Sequence, residues 1–228
     1  MKNIIVSLIL LLFIINAGYS QLVIRDISGK PYRNNVDPDL QGSPFLFGDW
    51  RPAKIKLKNL GVFDDVKVKF SPFTNSFYYN QNDSLYEFPE GLEEVRIKDL
   101  KHSNESGYDM LFTKNVYTTD KIPGGTFVQV LANGKINLLK YYKGKIDERT
   151  ESSTFGSEGK VKKMVTRSTV VAVTNSGTHN IEYNLKNIQL LTSDKEAAIT
   201  NFIDKKDLNV KKEMDFAIVI AYYNLLSE

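Results

Sequence analysis

The chain contains no cysteine. That excludes a disulfide framework, zinc–thiolate sites and cysteine nucleophiles. Histidine is nearly absent as well. His102 and His179 each stand alone in a polar, turn-like context, and neither has a second ligand at the spacing a zinc site uses. A dominant charge of either sign is also missing: 30 Lys and Arg face 27 Asp and Glu, a net charge of +3. So small an excess makes no polyanion-attracting field, and nucleic acid is not an expected partner.

Catalytic signatures are missing in the same way. There is no Gly-x-Ser-x-Gly elbow, and Gly156-Ser157-Glu158-Gly159 is one residue short of it. Gly124-Gly125 lacks the Lys-Ser/Thr and the following helix of a phosphate-cradling loop. Asn35-Val36-Asp37-Pro38-Asp39 begins like a calcium loop. Leu40 then stands where that loop needs glycine, and Leu46 where it needs a bidentate glutamate. The carboxylate pairs Asp64-Asp65, Glu93-Glu94 and Asp147-Glu148 are each adjacent in sequence. Neighbours on a strand point to opposite faces, so these pairs do not converge on a glycosidic bond. No catalytic, cofactor-binding or metal-binding residue is assigned, and the chain is not expected to be an enzyme.

Long apolar runs are lacking except at the start. Met1-Lys2-Asn3 leads into an apolar stretch from Ile4 to Ile15, followed by Gly18 and Ser20 at the small-residue positions of a cut after Ser20. That is the layout of a secretory signal, and the stretch is short for a bilayer span of about 20 residues. Residues 1–20 are read as a signal peptide. The expectation is an exported protein of the periplasm, the cell surface or the medium, with no membrane span after cleavage.

The body of the chain is patterned for strands. Lys54-Ile-Lys-Leu-Lys58 and Val66-Lys-Val-Lys-Phe70 alternate polar and apolar residues around Asn59 to Asp65. They predict two antiparallel strands with one buried face. Ser76–Tyr79 and Leu85–Phe88 predict a further pair, and Glu94–Ile97 and Tyr108–Phe112 two more strands. Leu22–Ile24 reads as a short strand. Asn133-Gly134, between Thr126–Ala132 and Lys135–Tyr142, predicts a two-residue type I′ turn. Residues 147–163 are polar and read as a long exposed loop or an extended hairpin tip. Later strands are expected over Thr166–Val173 and Asn180–Tyr183. After Asn184 the period changes: Ser193-Asp-Lys-Glu196 reads as a capping box opening one helix, and a second is expected from about Val210 to Leu226. The fold class is therefore α+β: mostly antiparallel β, as a half-barrel or a sandwich, over residues 21–184, with a C-terminal helical hairpin over 185–228 packed on the same domain.

Several stretches together resemble a known group. They are Gly42-Ser-Pro-Phe-Leu-Phe with Trp50, Ala53 to Lys58, Val62 to Phe70, Ser76 to Tyr79, and the tail from Ser193 to Leu226. In these the chain resembles a family of uncharacterised exported proteins of Gram-negative bacteria. The likeness covers about 42–97 and 192–226. It implies export and a two-part plan of strand-rich body and helical tail, and it implies no activity.

Two sets of residues stand out. Lys54, Lys56 and Lys58 share one strand parity and Lys67 and Lys69 another. Paired, the two strands would bring five ammonium groups to one surface, a candidate interaction face for anionic glycan or lipid headgroups, or simply a solvent face guarded against edge pairing. Phe45, Phe47 and Trp50 pose the choice between a ligand box and a structural plug. Phe45 and Phe47 share parity, so a plug is expected to send both rings into the core, with Trp50 capping the first long strand. Asp83-Ser84-Leu85 also resembles an O-glycosylation acceptor of some Gram-negative bacteria. Three functions follow as expectations: a non-catalytic cell-envelope interaction or structural module whose partner is an envelope protein or glycan; a carrier of an apolar or glycan ligand in a cavity between sheet and helices; and a hydrolase with a dispersed site.

Overall fold

A computed structural model of the chain describes residues 29–32, 40–82, 84–98, 110–117, 119–152 and 158–227. The signal-like segment, Leu22–Ile24, the Asn35–Asp39 motif, Asp83, His102 and residues 153–157 lie outside the described residues. All twelve strands of the described residues join one continuous sheet. In chain order they are β1 (Lys30–Pro31), β2 (Leu40–Gln41), β3 (Arg51–Leu57), β4 (Gly61–Ser71), β5 (Ser76–Gln81), β6 (Ser84–Glu87), β7 (Leu92–Ile97), β8 (Met110–Lys114), β9 (Phe127–Ala132), β10 (Asn137–Ser152), β11 (Glu158–Thr174) and β12 (Gly177–Asn180). Their spatial order is β1-β6-β5-β4-β3-β7-β8-β9-β10-β11-β12, and β2 lies parallel to β11. All other pairings are antiparallel.

The alternation seen in sequence sets the two faces. In β3, Ala53, Ile55 and Leu57 are buried while Lys54 and Lys56 are exposed; in β4, Val66, Val68 and Phe70 are buried while Lys67 is exposed. The buried face curls. Strands β4 and β5 are well separated from β9 and β10 in the sheet order, yet their side chains meet. Phe77 packs edge-on against Phe127 at 5.1 Å, and Phe70 against Tyr142 at 6.4 Å. The turn between β4 and β5 ties the curl shut. Asn75 Oδ1 accepts from Phe127 N–H at 2.6 Å, Asn75 Nδ2 donates to Phe127 C=O at 3.0 Å, and Gly144 N–H donates to Pro72 C=O at 2.9 Å. The sheet is therefore open and strongly curved. A sandwich needs a second, separate sheet, and the described residues form none.

Three helices follow, where a two-helix hairpin was expected: α1 (Leu185–Leu191), α2 (Glu196–Lys205) and α3 (Glu213–Leu225), with a 3-10 turn at Ser193–Lys195. The expected capping box does not form, because Ser193 lies inside the 3-10 turn and caps no amide. Glu196 instead accepts from Gln189 at 3.2 Å. Asn184 is the working cap, accepting from Asn187 N–H at 2.9 Å. The helices bury Ile188, Ile199, Phe216, Val219 and Ile220 against Ala132, Leu138, Val170 and Ala172 of β9–β11. Each of these helix side chains is at most 2% exposed, so this interface is filled. The near-uniform apolarity of α3 follows from being enclosed by the sheet and both other helices. On the opposite face of β9–β11, Ile122, Val128, Leu139 and Val171 form a smaller core. Asn115 shapes the loop that delivers Ile122, donating to Tyr117 C=O at 2.7 Å and accepting from Tyr117 N–H at 3.0 Å.

The Asn133-Gly134 connection is not a two-residue type I′ turn. It spans residues 133–136, with positive φ only at Gly134 (148°) and a bulge at Leu138/Leu139. A tertiary contact overrides the local preference here: the side chain of Asn224 in α3 packs against Gly134 and bonds both backbone groups of Ile136. Residues 147–152 and 158–163, by contrast, belong to an extended hairpin. β10 and β11 pair without interruption from Asn137↔Val173 to Ser152↔Glu158.

Candidate functional site

The lysines come first. Lys54, Lys56, Lys67 and Lys69 lie on the outer face of β3 and β4, and Lys58 is exposed just after β3. The structure does not leave them as five free ammonium groups. Lys54 and Lys98 flank Asp64 at 3.7 and 3.5 Å, and Lys56 pairs with Glu93 at 3.0 Å. Glu93 holds the Lys56 ammonium above its usual pKa. The Asp65 amide, then Lys98 and Lys54, hold the Asp64 carboxyl low. These pairs are exposed and contribute little stability. They set the carboxylates of Asp64 and Glu93 among the lysines of this face.

The aromatic stretch 42–50 is a series of bends lying along β4 just before β3 begins, anchored by Leu46 N–H donating to Phe70 C=O at 2.8 Å. Its rings separate. Phe47, with Leu46, packs into the concave core. Phe45 goes to the outer face, against Tyr32 (5.9 Å) and Tyr78 (5.7 Å). Strand parity does not apply because the backbone is bent at every residue from Pro44 to Asp49. Lys69 fills the space between Phe45 and Trp50, 5.1 and 5.2 Å from the two ring centres, and donates to Gly48 C=O at 2.8 Å. The aromatic box thus exists, and its occupant is the protein's own lysine.

The most buried charged contact sits where the concave core meets the helices. Glu213 Oε2, at the start of α3, accepts from Lys140 Nζ at 2.6 Å and Tyr183 OH at 2.5 Å. Tyr142 OH donates to Gln129 at 2.7 Å nearby. Burial pushes both tyrosine hydroxyls far above their ordinary pKa, with the Glu213 charge adding to the effect. These bonds join sheet to helices.

A cleft of about 340 Å³ opens between the end of the sheet and the helices. The 133–136 loop supplies Lys135 and Ile136. The β11–β12 turn supplies Thr174, Asn175 and Ser176, and β12 supplies His179. From the helical side come Leu190, Leu191, Ser193, Asp194 and Tyr223. Asp194 is held from both sides: Lys135 Nζ donates to Oδ2 at 2.9 Å and Tyr223 OH to Oδ1 at 2.9 Å. These bonds keep the Asp194 carboxyl below the usual carboxylate range, and Tyr223 and Asp194 keep the Lys135 ammonium above its own. A depressed, doubly bonded carboxylate is a poor general base. His179 makes no side-chain hydrogen bond among the described residues, so no base is joined to Ser176 or Ser193. No three His, Asp or Glu side chains gather as metal ligands among the described residues. Nothing in the sequence flagged this cleft, because its parts come from stretches far apart in the chain. The one available signal was His179 close to the Ser176-Gly177 turn.

A second feature is the outer part of the β10–β11 hairpin. Beyond Lys140, β10 has no ladder to β9, and the two strands continue as a ribbon. β2 pairs with the ribbon at Lys162 and Lys163, and Gly42 packs on Met164. At that point Leu40 and the 46% exposed Ile146 floor a shallow depression rimmed by Lys145, Asp147, Glu148, Arg149 and Lys162.

Comparison of the chain with protein-family models, with curated proteins and with solved structures found no match. No helix among the described residues is long and apolar enough to cross a membrane.

Proposed function

We propose that the protein is a non-catalytic interaction module of the exported compartment, and that it engages an envelope protein through the β10–β11 ribbon. The observation that carries this reading is the ribbon itself: 16 and 17 residues in continuous register, far longer than its neighbours β9 and β12 require. An isolated two-stranded ribbon is at best marginally stable in water. Here it is braced by β2 and Pro72, and at the level of β2 it carries an apolar centre within a rim of mixed charge. That arrangement suits a protein interface, where an apolar spot is shielded by a polar rim. The state of the cleft supports binding over hydrolysis, since each oxygen of its carboxylate already accepts a bond and its histidine is joined to no hydroxyl. Export rests on the signal-like N-terminus.

The test is a photo-crosslinking residue at Arg149 and, as a control, at Asn201 on α2, in the protein expressed in its native envelope. The Arg149 position should give a discrete adduct and Asn201 none. Replacing residues 149–161 with Asn-Gly, which keeps the β2 contact at Lys162 and Lys163, should leave the fold intact by circular dichroism and abolish retention of that same partner in a pull-down. Equal capture by the shortened protein overturns the assignment to the ribbon.

A further inference from the structure

We infer that the cleft between the β11–β12 turn and the helices is a binding site for a neutral sugar ring carrying a vicinal diol. The observations are independent of the ribbon. The volume, about 340 Å³, falls at the lower end of the range for small-molecule sites, roughly 300–1,000 Å³. The charge balance selects against ions. Lys135 and Asp194 neutralise each other at 2.9 Å, and an anion or a cation would have to break that pair.

What the pair leaves free is a donor beside an acceptor. An ammonium has three N–H donors and a carboxylate about four lone-pair positions. The contacts described for Lys135 and Asp194 consume only part of that capacity. Two neighbouring hydroxyls fit this arrangement: one donates to Asp194 while the next accepts from Lys135. The β11–β12 turn adds the Asn175 amide and the Ser176 hydroxyl, the latter held 2.8 Å from the Thr174 hydroxyl, which is itself spent on Gly177 C=O and Ser176 N–H. The helical side adds Leu190, 60% exposed, and Leu191. A pyranose has the same two-sided character, hydroxyls at its edge and C–H groups on its face.

The site is also preorganised, which lowers the ordering cost of binding. Asn224 fixes the loop bearing Lys135 through two bonds to Ile136. Thr192, fully buried, donates to Ile188 C=O at 2.8 Å and sets the start of the turn bearing Asp194.

The experiment is saturation-transfer NMR on the full chain with the methyl glycosides of glucose, galactose and mannose and with N-acetylglucosamine, each at millimolar concentration, and with inorganic phosphate as the ionic comparator. At least one pyranoside should receive saturation, and its affinity should fall about tenfold or more in Asp194→Asn. Leu190→Asp, which alters only an exposed apolar position, should weaken it as well and keeps the test alive if Asp194→Asn folds poorly. Binding of phosphate without any pyranoside, silence of all four sugars, or equal sugar binding by both variants would each overturn the assignment.

Discussion

Asn224, near the end of α3, grips the backbone of Ile136 from both sides: its Oδ1 accepts from Ile136 N–H and its Nδ2 donates to Ile136 C=O, each at 2.9 Å. Both residues are buried. Removing the amide strands two backbone groups away from water, at roughly 1–3 kcal/mol each. Asn224→Ala should therefore destabilise by about 3 kcal/mol in urea unfolding. Gly134→Ala should be similarly costly, because a Cβ there would sit 2.7 Å from Asn224 Cγ at a φ of 148°. A loss below about 1 kcal/mol in both variants would show that the grip is not structural.

Asn75 closes the curl of the sheet in the same two-bonded way, on Phe127. It also sits at φ 51°, which glycine tolerates and alanine does not. Asn75→Ala should lose both the clamp and the backbone fit, at about 2–3 kcal/mol, and Asn75→Gly should lose the clamp alone, at about 1–2 kcal/mol. Equal losses in the two variants would assign the whole effect to the side chain.

Gly144 faces the ring of Phe73 so closely that a Cβ would lie 2.3 Å from it. Gly144→Ala should cost about 1–3 kcal/mol through overpacking. Combining it with Phe73→Ala should recover part of that loss, since the obstructing ring is then gone. Strict additivity in the double-mutant cycle would refute the contact.

Asp194 links stability to pH. Its carboxyl is held low in the folded protein by Lys135 and Tyr223, so on acidification the unfolded chain takes up the proton first. Its stabilisation is present above the ordinary carboxylate range and is lost as the pH falls through the depressed folded value. Asp194→Asn should flatten the acid limb of a melting-temperature profile and leave the neutral region less stable. Some slope should persist, because Asp64 and Asp147 are held low as well, the latter by Lys145 and Arg167 against an opposing effect of burial. An unchanged acid limb would dismiss the linkage.

Trp50 is only half-buried and faces Lys69. Trp50→Ala should cost about 1–2 kcal/mol, less than the roughly 3–5 kcal/mol of a fully enclosed ring. The melting temperature of the variant measures this directly.

The sheet was most readable where one face is buried and the other wet. Lys54-Ile-Lys-Leu and Val66-Lys-Val-Lys-Phe announce β3 and β4 because burial enforces the period of two. The outer hairpin was obscure for the opposite reason. With most side chains from Lys143 to Arg149 exposed, nothing demands alternation, and the stretch looks like a loop. α1 was missed because it is seven residues long and buries only Ile188; its signal was Asn184 as a cap. The Asn133-Gly134 turn was misjudged because its shape is dictated by a residue in α3. The cleft shares that difficulty, being an assembly of short pieces that meet only after the chain has folded.

The order in which the strands find partners bears on how the chain comes to be folded. β1 and β2 precede the rest of the sheet, yet they lie against β6 and β11. The turn at 133–136 is fixed by a side chain 88 residues further on. A chain emerging from its amino end therefore carries early segments with nothing to pair with, and a turn that stays unlocked until the last helix arrives. Long-range closures of this kind slow the final step of folding.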